Sequence, residues 1–165
     1  MAFPEGKVNR KAVSGLAALG GAPGPATQSA LEALAAAQHT GCLLCDASNP
    51  FGLRLRFGVQ PSGAVEAPFD CRGVLRSYPA TLHGGVISAL LDAAMTNALF
   101  SVGVVGVTAE LTVRFLAPVA LDQAATVRGL VERDVNPLYL VRGEVEQGGK
   151  LRARASAKFF AKDCM

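Results

Sequence analysis

His83-Gly84-Gly85-Val86-Ile87-Ser88-Ala89-Leu90-Leu91-Asp92-Ala93-Ala94-Met95-Thr96-Asn97-Ala98-Leu99-Phe100-Ser101 decides the fold. Apolar residues run almost all the way round this segment, the mark of a helix buried on every side rather than one lying on a surface. Two glycines at its start predict a helix opening that another molecule can approach closely. The apolar run over residues 86–107 is long enough to cross a membrane. Asp92, Thr96 and Asn97 near its centre, with Gly103 and Gly106 beyond, point instead to the core helix of a globular domain. No membrane partner is expected.

Working outward, the period changes from that of a helix to that of strands. Val107, Ala109, Leu111, Val113 and Phe115 alternate with Thr108, Glu110, Thr112 and Arg114, and Pro118 closes the strand. Three more strands are predicted over 124–135, 138–147 and 150–161, the last two joined at Gly148-Gly149. The last would turn Leu151, Ala153, Ala155, Ala157 and Phe159 inward. Upstream, residues 51–60 alternate, with Leu53, Leu55, Phe57 and Val59 opposite Arg54 and Arg56. Pro61-Ser62-Gly63 then supplies a turn and residues 64–70 a return strand. Thr27 to about His39 reads as a short helix ending before Gly41, and residues 1 to about 24 as a flexible or loosely docked arm. One greasy helix and several strands with a single greasy face give an α+β architecture: an antiparallel sheet wrapped around a central helix. Such a sheet leaves edges to cover, and dimerisation through an edge strand is the simplest cover.

The composition agrees. The 165 residues suit one domain, half of them are apolar, 18% are charged, and the mean hydropathy is +0.32, which points to a buried subunit interface. A net charge of +3, no Trp and two Tyr leave no basic, aromatic-studded patch, so no nucleic-acid partner is expected. Glu5, Lys7, Arg10 and Lys11 interrupt the first residues, where no secretory leader is read, and four cysteines are expected to stay reduced in a cytoplasmic setting.

The chemistry lies in the helix. Ser88, Asp92 and Thr96 fall at i, i+4 and i+8, a polar stripe on an apolar cylinder. Asp92 reads either as a packed carboxylate bonded to Ser88, Thr96 or backbone, or as a base or nucleophile held in a low-dielectric site. The free N–H groups at the helix start, Gly84 first, would hold a developing oxyanion. Eight residues separate Gly84 from Asp92, about 12 Å along a helix, too far for both to touch one reacting group. If both act on one carbonyl, one of them comes from a second copy of the chain, which predicts a two-fold dimer with two sites.

At this point the chain resembles the hotdog-fold acyl-CoA thioesterases of the phenylacetyl-CoA and 4-hydroxybenzoyl-CoA thioesterase group. The resemblance runs from about Cys42 to Phe160. It rests on Cys42-Leu43-Leu44-Cys45, Asn49-Pro50-Phe51-Gly52-Leu53, Tyr78-Pro79-Ala80-Thr81-Leu82-His83-Gly84-Gly85, Leu90-Leu91-Asp92, and Leu111-Thr112-Val113-Arg114-Phe115-Leu116-Ala117-Pro118, in that order. It implies a hotdog thioesterase domain over 41–165, and the N-terminal arm with its short helix, over 1–40, lies outside it. It also implies hydrolysis of an acyl-CoA by a homodimer or a dimer of dimers, without cofactor or metal. Carried over by position, Gly84 N–H polarises the thioester carbonyl, the partner's Asp92 attacks or activates water, and Thr108 assists. His83 shapes the turn or exchanges protons. Gly85, Ser88 and Ser77 are expected to contact substrate. The family often has an amide side chain at the position of Ser77.

Other readings remain beside this one. Cys42-x-x-Cys45 has the spacing of half a zinc site or a redox pair, but with no second close cysteine pair it is expected to belong to a packed loop. Asn49-Pro50 invites comparison with hotdog-fold hydratases or dehydratases, yet Ser48 stands where their acid would be and Phe51-Gly52 where their histidine would be. A non-catalytic acyl-CoA-binding module would keep the glycines but has no need of Asp92. Arg128, Arg142, Arg152, Arg154 and Lys158 offer partners for coenzyme A phosphates, but alternating basic residues on a strand read first as a solvated face.

Overall fold

The computed structural model describes residues 22–162, so the expected arm falls largely outside the described residues, as does Cys164. Helix α1 spans Gln28–Gln38, capped by Thr27, whose hydroxyl oxygen accepts from Ala30 N at 3.2 Å. It ends at His39, ahead of Gly41 in a left-handed conformation at φ 77°. Strands β1 (Gly58–Val59) and β2 (Val65–Asp70) form a hairpin across the 61–63 turn. Helix α2 covers Gly84–Ser101, followed by β3 (Gly106–Phe115), β4 (Ala124–Val135), β5 (Leu138–Gln147) and β6 (Lys150–Ala161). The six strands form one antiparallel sheet in the order β1-β2-β4-β5-β6-β3.

The sheet wraps α2, which touches β2, β3, β4, β5 and β6. Leu90, Leu91, Ala94, Met95, Leu99 and Phe100 are buried, as a helix apolar on nearly every side requires. The close approach depends on a glycine pair facing each other across β4 and β5, Gly129 and Gly143. A Cβ on Gly129 would sit 2.2 Å from the Ala94 carbonyl oxygen, and one on Gly143 would sit 3.1 Å from Leu91 Cδ2. Helix α1 packs on α2, with Leu31 in the core and Thr27 N donating to Ser101 O at 2.8 Å.

Three strand readings are corrected. Residues 51–60 keep the expected burial, with Leu55 and Phe57 buried and Arg54 and Arg56 exposed, but only Gly58–Val59 joins the sheet. Arg54 turns left-handed at φ 58°, and Leu53 N and Leu55 N bond to Leu43 O and Leu44 O, so this segment pairs with the cysteine loop instead. In β3 the register shifts between Thr108 and Glu110. Ala109 bulges, so Thr108, opposite buried Phe159, and Leu111, opposite buried Ala157, share the inner face, while Val107, opposite Phe160, turns outward. A second shift between Val145 and Glu146 pairs Glu146 with Leu151 and leaves Leu151 exposed rather than inside.

Candidate functional site

The helix start is built by its own sequence. His83 is the N-cap, and its Nδ1 accepts from Gly85 N at 2.9 Å, while its carbonyl accepts from Ile87 N. That bond places the imidazole proton of a neutral ring on Nε2. A Cβ at Gly85 would lie 3.1 Å from His83 Nδ1, tighter than an ordinary contact, so a side chain there would press on the cap. The Gly85 N–H is therefore engaged, while the Gly84 N–H, the first of the helix, has no acceptor among the described residues. It points from the positive end of an 18-residue helix. The Phe115 ring lies beside it, 3.5 Å from where a Gly84 Cβ would be.

Two turns further on, half-buried Asp92 accepts a hydrogen bond from Thr108 Oγ1 on Oδ1 at 2.8 Å. The Ala109 bulge makes this contact possible, because an unbroken alternation would turn Thr108 away from the helix. The polar stripe does not hold the carboxylate: Ser88 donates to Gly84 O at 3.1 Å and Thr96 to Asp92 O at 3.0 Å. Both hydroxyls are spent on their own helix backbone. Asp92 Oδ2 has no hydrogen-bond partner among the described residues. Ser77 is exposed in the turn before the helix, its N donating to Thr81 O at 3.0 Å.

The structure thus joins Asp92 to Thr108 and His83 to Gly85, with the two pairs about two turns apart along α2. A cavity of about 640 Å³ lies elsewhere, between α1 and residues 45–57. Neither Gly84, Asp92 nor Thr108 lines it. Of the basic residues considered for phosphates, Arg128 is held by Glu66, Glu144 and Glu146, which raise its pKa, Arg142 by Glu132 and Glu144, and Lys158 by Glu110.

Two buried polar groups escape a reading of the sequence. Gln147 bonds Ala120 N and O and Gln123 O, fixing the loop after β3. Asn97 donates to Ala93 O at 2.8 Å and to Cys45 Sγ at 3.5 Å. The cysteine loop also has an unforeseen neighbour in His39, whose ring packs edge-on against Phe100 with centroids 4.7 Å apart. Burial lowers the His39 pKa, opposed by the Asp92 charge, and pushes the Cys45 thiol up to about 12. The signal was present as His39-x-x-Cys42-x-x-Cys45, a three-residue spacing running across the helix end.

Comparison with known proteins bears on this geometry. Residues 80–153, from the turn before α2 into β6, match the family model described as the thioesterase superfamily. No curated protein sequence matches the chain. Among solved structures, the Escherichia coli PaaI protein from the phenylacetic acid degradation operon superposes with a TM-score of 0.68 at 19% identity, over 81% of this chain and 94% of that one. A hypothetical thioesterase from Streptococcus pneumoniae, solved with coenzyme A, gives 0.61 at 19% identity over 66% and 88%. That protein has also been solved with an aspartate and with a threonine replaced by alanine. A Streptococcus mutans protein bound to acetyl CoA gives 0.61 at 20% identity over 66% and 88%. The fold is that of the hotdog thioesterases.

Proposed function

For a chain of hotdog fold whose residues 80–153 match the thioesterase superfamily, we propose acyl-CoA hydrolysis at a site shared by two copies. The observation that carries this reading is the Thr108–Asp92 hydrogen bond, which holds a carboxylate at one end of β3 while the unoccupied Gly84 N–H lies by Phe115 at the other end.

Strand β3 is a ten-residue edge strand with β6 as its one neighbour among the described residues, and Val107, Phe115 and Leu116 at its ends are exposed apolar residues. A long, greasy, unpaired edge calls for a cover. Antiparallel pairing of two such edges about a two-fold axis near their middle brings the Phe115 end of one copy to the Thr108 end of the other. Gly84 of one protomer then faces Asp92 of its partner, which resolves the separation of about 12 Å within one chain.

In that arrangement the thioester carbonyl oxygen accepts from Gly84 N–H, and the negative charge of the tetrahedral intermediate builds where the helix dipole is positive. Asp92, oriented by Thr108 through Oδ1, uses Oδ2 to take a proton from water as it attacks, or attacks the carbonyl itself. Collapse expels the coenzyme A thiolate, which takes up a proton; on the water route the acid then leaves, and on the direct route it leaves once water has hydrolysed the mixed anhydride formed on Asp92. Neither route draws on a cofactor or metal, and a cytoplasmic location, where acyl-CoAs are at hand, suits it. The coenzyme A and acetyl CoA seen in two structural neighbours support this ligand class.

Free-thiol release from short, medium and aromatic acyl-CoAs tests the proposal. Asp92→Asn is expected to keep the fold and lower turnover at least about a hundredfold, the scale of a positioned base. Acyl-CoA binding without thiol release from any member of the panel would instead mark a binding module.

A further inference from the structure

We propose that His39, Cys42 and Cys45 form a binding site for one zinc ion. One imidazole nitrogen and the two sulfurs lie within 4.8 Å of one another, gathered from the C-cap of α1 and the turn that follows. Tetrahedral zinc with bonds of about 2.0–2.3 Å sets its ligand atoms about 3.5–3.8 Å apart, so closure about a metal takes an inward movement of no more than about 1 Å, within the range of side-chain rotation. Two thiolates and an imidazole are a donor set that selects borderline-soft cations over calcium or magnesium.

The surroundings fit a metal site in three further ways. His39 Nδ1 is buried without a hydrogen-bond partner among the described residues, an exception among buried polar atoms that asks for a physical reason. Each sulfur already faces an N–H donor, Leu44 N to Cys42 Sγ at 3.4 Å and Asn97 Nδ2 to Cys45 Sγ at 3.5 Å, the outer contacts that steady metal-bound thiolates. His39 and Cys45 also line the cavity of about 640 Å³, which gives water access to the fourth position. The nearby Asp46 carboxylate is occupied by Gly41 N and Ser48 N and leaves that position open. Binding converts two thiols to thiolates and releases two protons to solvent; no electron is transferred. The ion would clasp the end of α1 to the 42–45 turn and, through Asn97, to α2. This site is separate from Gly84, Asp92 and Thr108 and does not depend on the thioesterase reading.

The test uses the untagged full chain, purified without chelator, with metal content measured by mass spectrometry and the metal-free protein titrated with cobalt and with zinc. Expected are about one zinc per chain, thiolate-to-cobalt charge-transfer absorption with the strong visible bands of a tetrahedral site, and protection of two of the four cysteines from a thiol reagent by zinc. His39→Ala and the double variant Cys42→Ser/Cys45→Ser should lose the cobalt spectrum, while Cys71→Ser keeps it. Asn97→Ala should weaken binding about 10–100-fold, as outer contacts do. Should the double variant fail to fold, the cobalt spectrum and thiol protection of the unaltered chain decide the matter. Absence of the charge-transfer band, unchanged zinc affinity in the double variant, or a reduced chain that forms a Cys42–Cys45 disulfide in air but takes up no metal would each overturn the proposal.

Discussion

Gly129→Ala places one methyl group where α2 crosses the sheet. The new Cβ would lie 2.2 Å from Ala94 O, 2.5 Å from Ala94 C and 3.0 Å from Met95 N, all backbone atoms of a helix held by five strands. No rotamer change relieves this, so the helix must move off the sheet by about 1 Å to reach an ordinary contact, in a core that is close-packed and resists it. Overpacking of this kind costs typically about 1–3 kcal/mol, and a backbone clash belongs at the top of the range. The stiffer unfolded chain returns about 0.4–1 kcal/mol. A net loss of about 2 kcal/mol is expected in urea unfolding of the assembled protein. Because Asp92 lies two residues before Ala94, the same shift should stretch its bond to Thr108 and lower thioester turnover in the fraction that remains folded. Gly58→Ala is the control: its Cβ meets nothing within 4 Å, and stability should be unchanged or slightly higher. Equal stabilities for the two variants, within about 0.5 kcal/mol, would refute the claim that the glycine pair seats the helix.

Thr108→Val removes the hydroxyl that orients Asp92 at nearly constant volume; kcat for thiol release should fall about tenfold or more with KM little changed, and Thr108→Ser should recover much of it. For His83 the cap predicts a stability effect: His83→Ala should lose about 1 kcal/mol in urea unfolding, whereas His83→Asn, which can still accept from Gly85 N, should keep turnover within about threefold. A hundredfold fall in the Asn variant with stability intact would restore His83 as a proton carrier.

The long elements were legible because their periods are long and unopposed. The all-apolar segment after His83-Gly84-Gly85 begins and ends where read, and Gly148-Gly149, both at positive φ, makes the β5–β6 turn. Bulges were not legible: nothing in Val107-Thr108-Ala109-Glu110 announces that Ala109 leaves the ladder, and alternation put Thr108 on the wrong face. The resemblance supplied what the period could not, since it matched Thr108 to a hydroxyl that assists the carboxylate. Residues 51–60 show the opposite failure. Their alternation is real, but it reports burial, and burial does not say which backbone accepts the hydrogen bonds. Asn97, Gln147 and His39 act through contacts distant in sequence or masked by the end of a helix.

The claim that Gly84 and Asp92 serve one substrate from two chains is tested most directly by mixing two inactive variants. Gly84→Pro deletes only the oxyanion donor: proline is accepted at the first helical position, His83 already has the extended backbone that a following proline requires at φ −65° and ψ 131°, and the nearest atom to a Cβ there is Phe115 Cζ at 3.5 Å. Alone it should lose about a hundredfold or more in turnover, as should Asp92→Asn. Unfolded and refolded together in equal amounts, the two should regain about a quarter of the activity of the unaltered protein, because half the dimers are mixed and each mixed dimer holds one intact site. A mixture no more active than its separate components, with mixed dimers shown to have formed, would contradict the shared site.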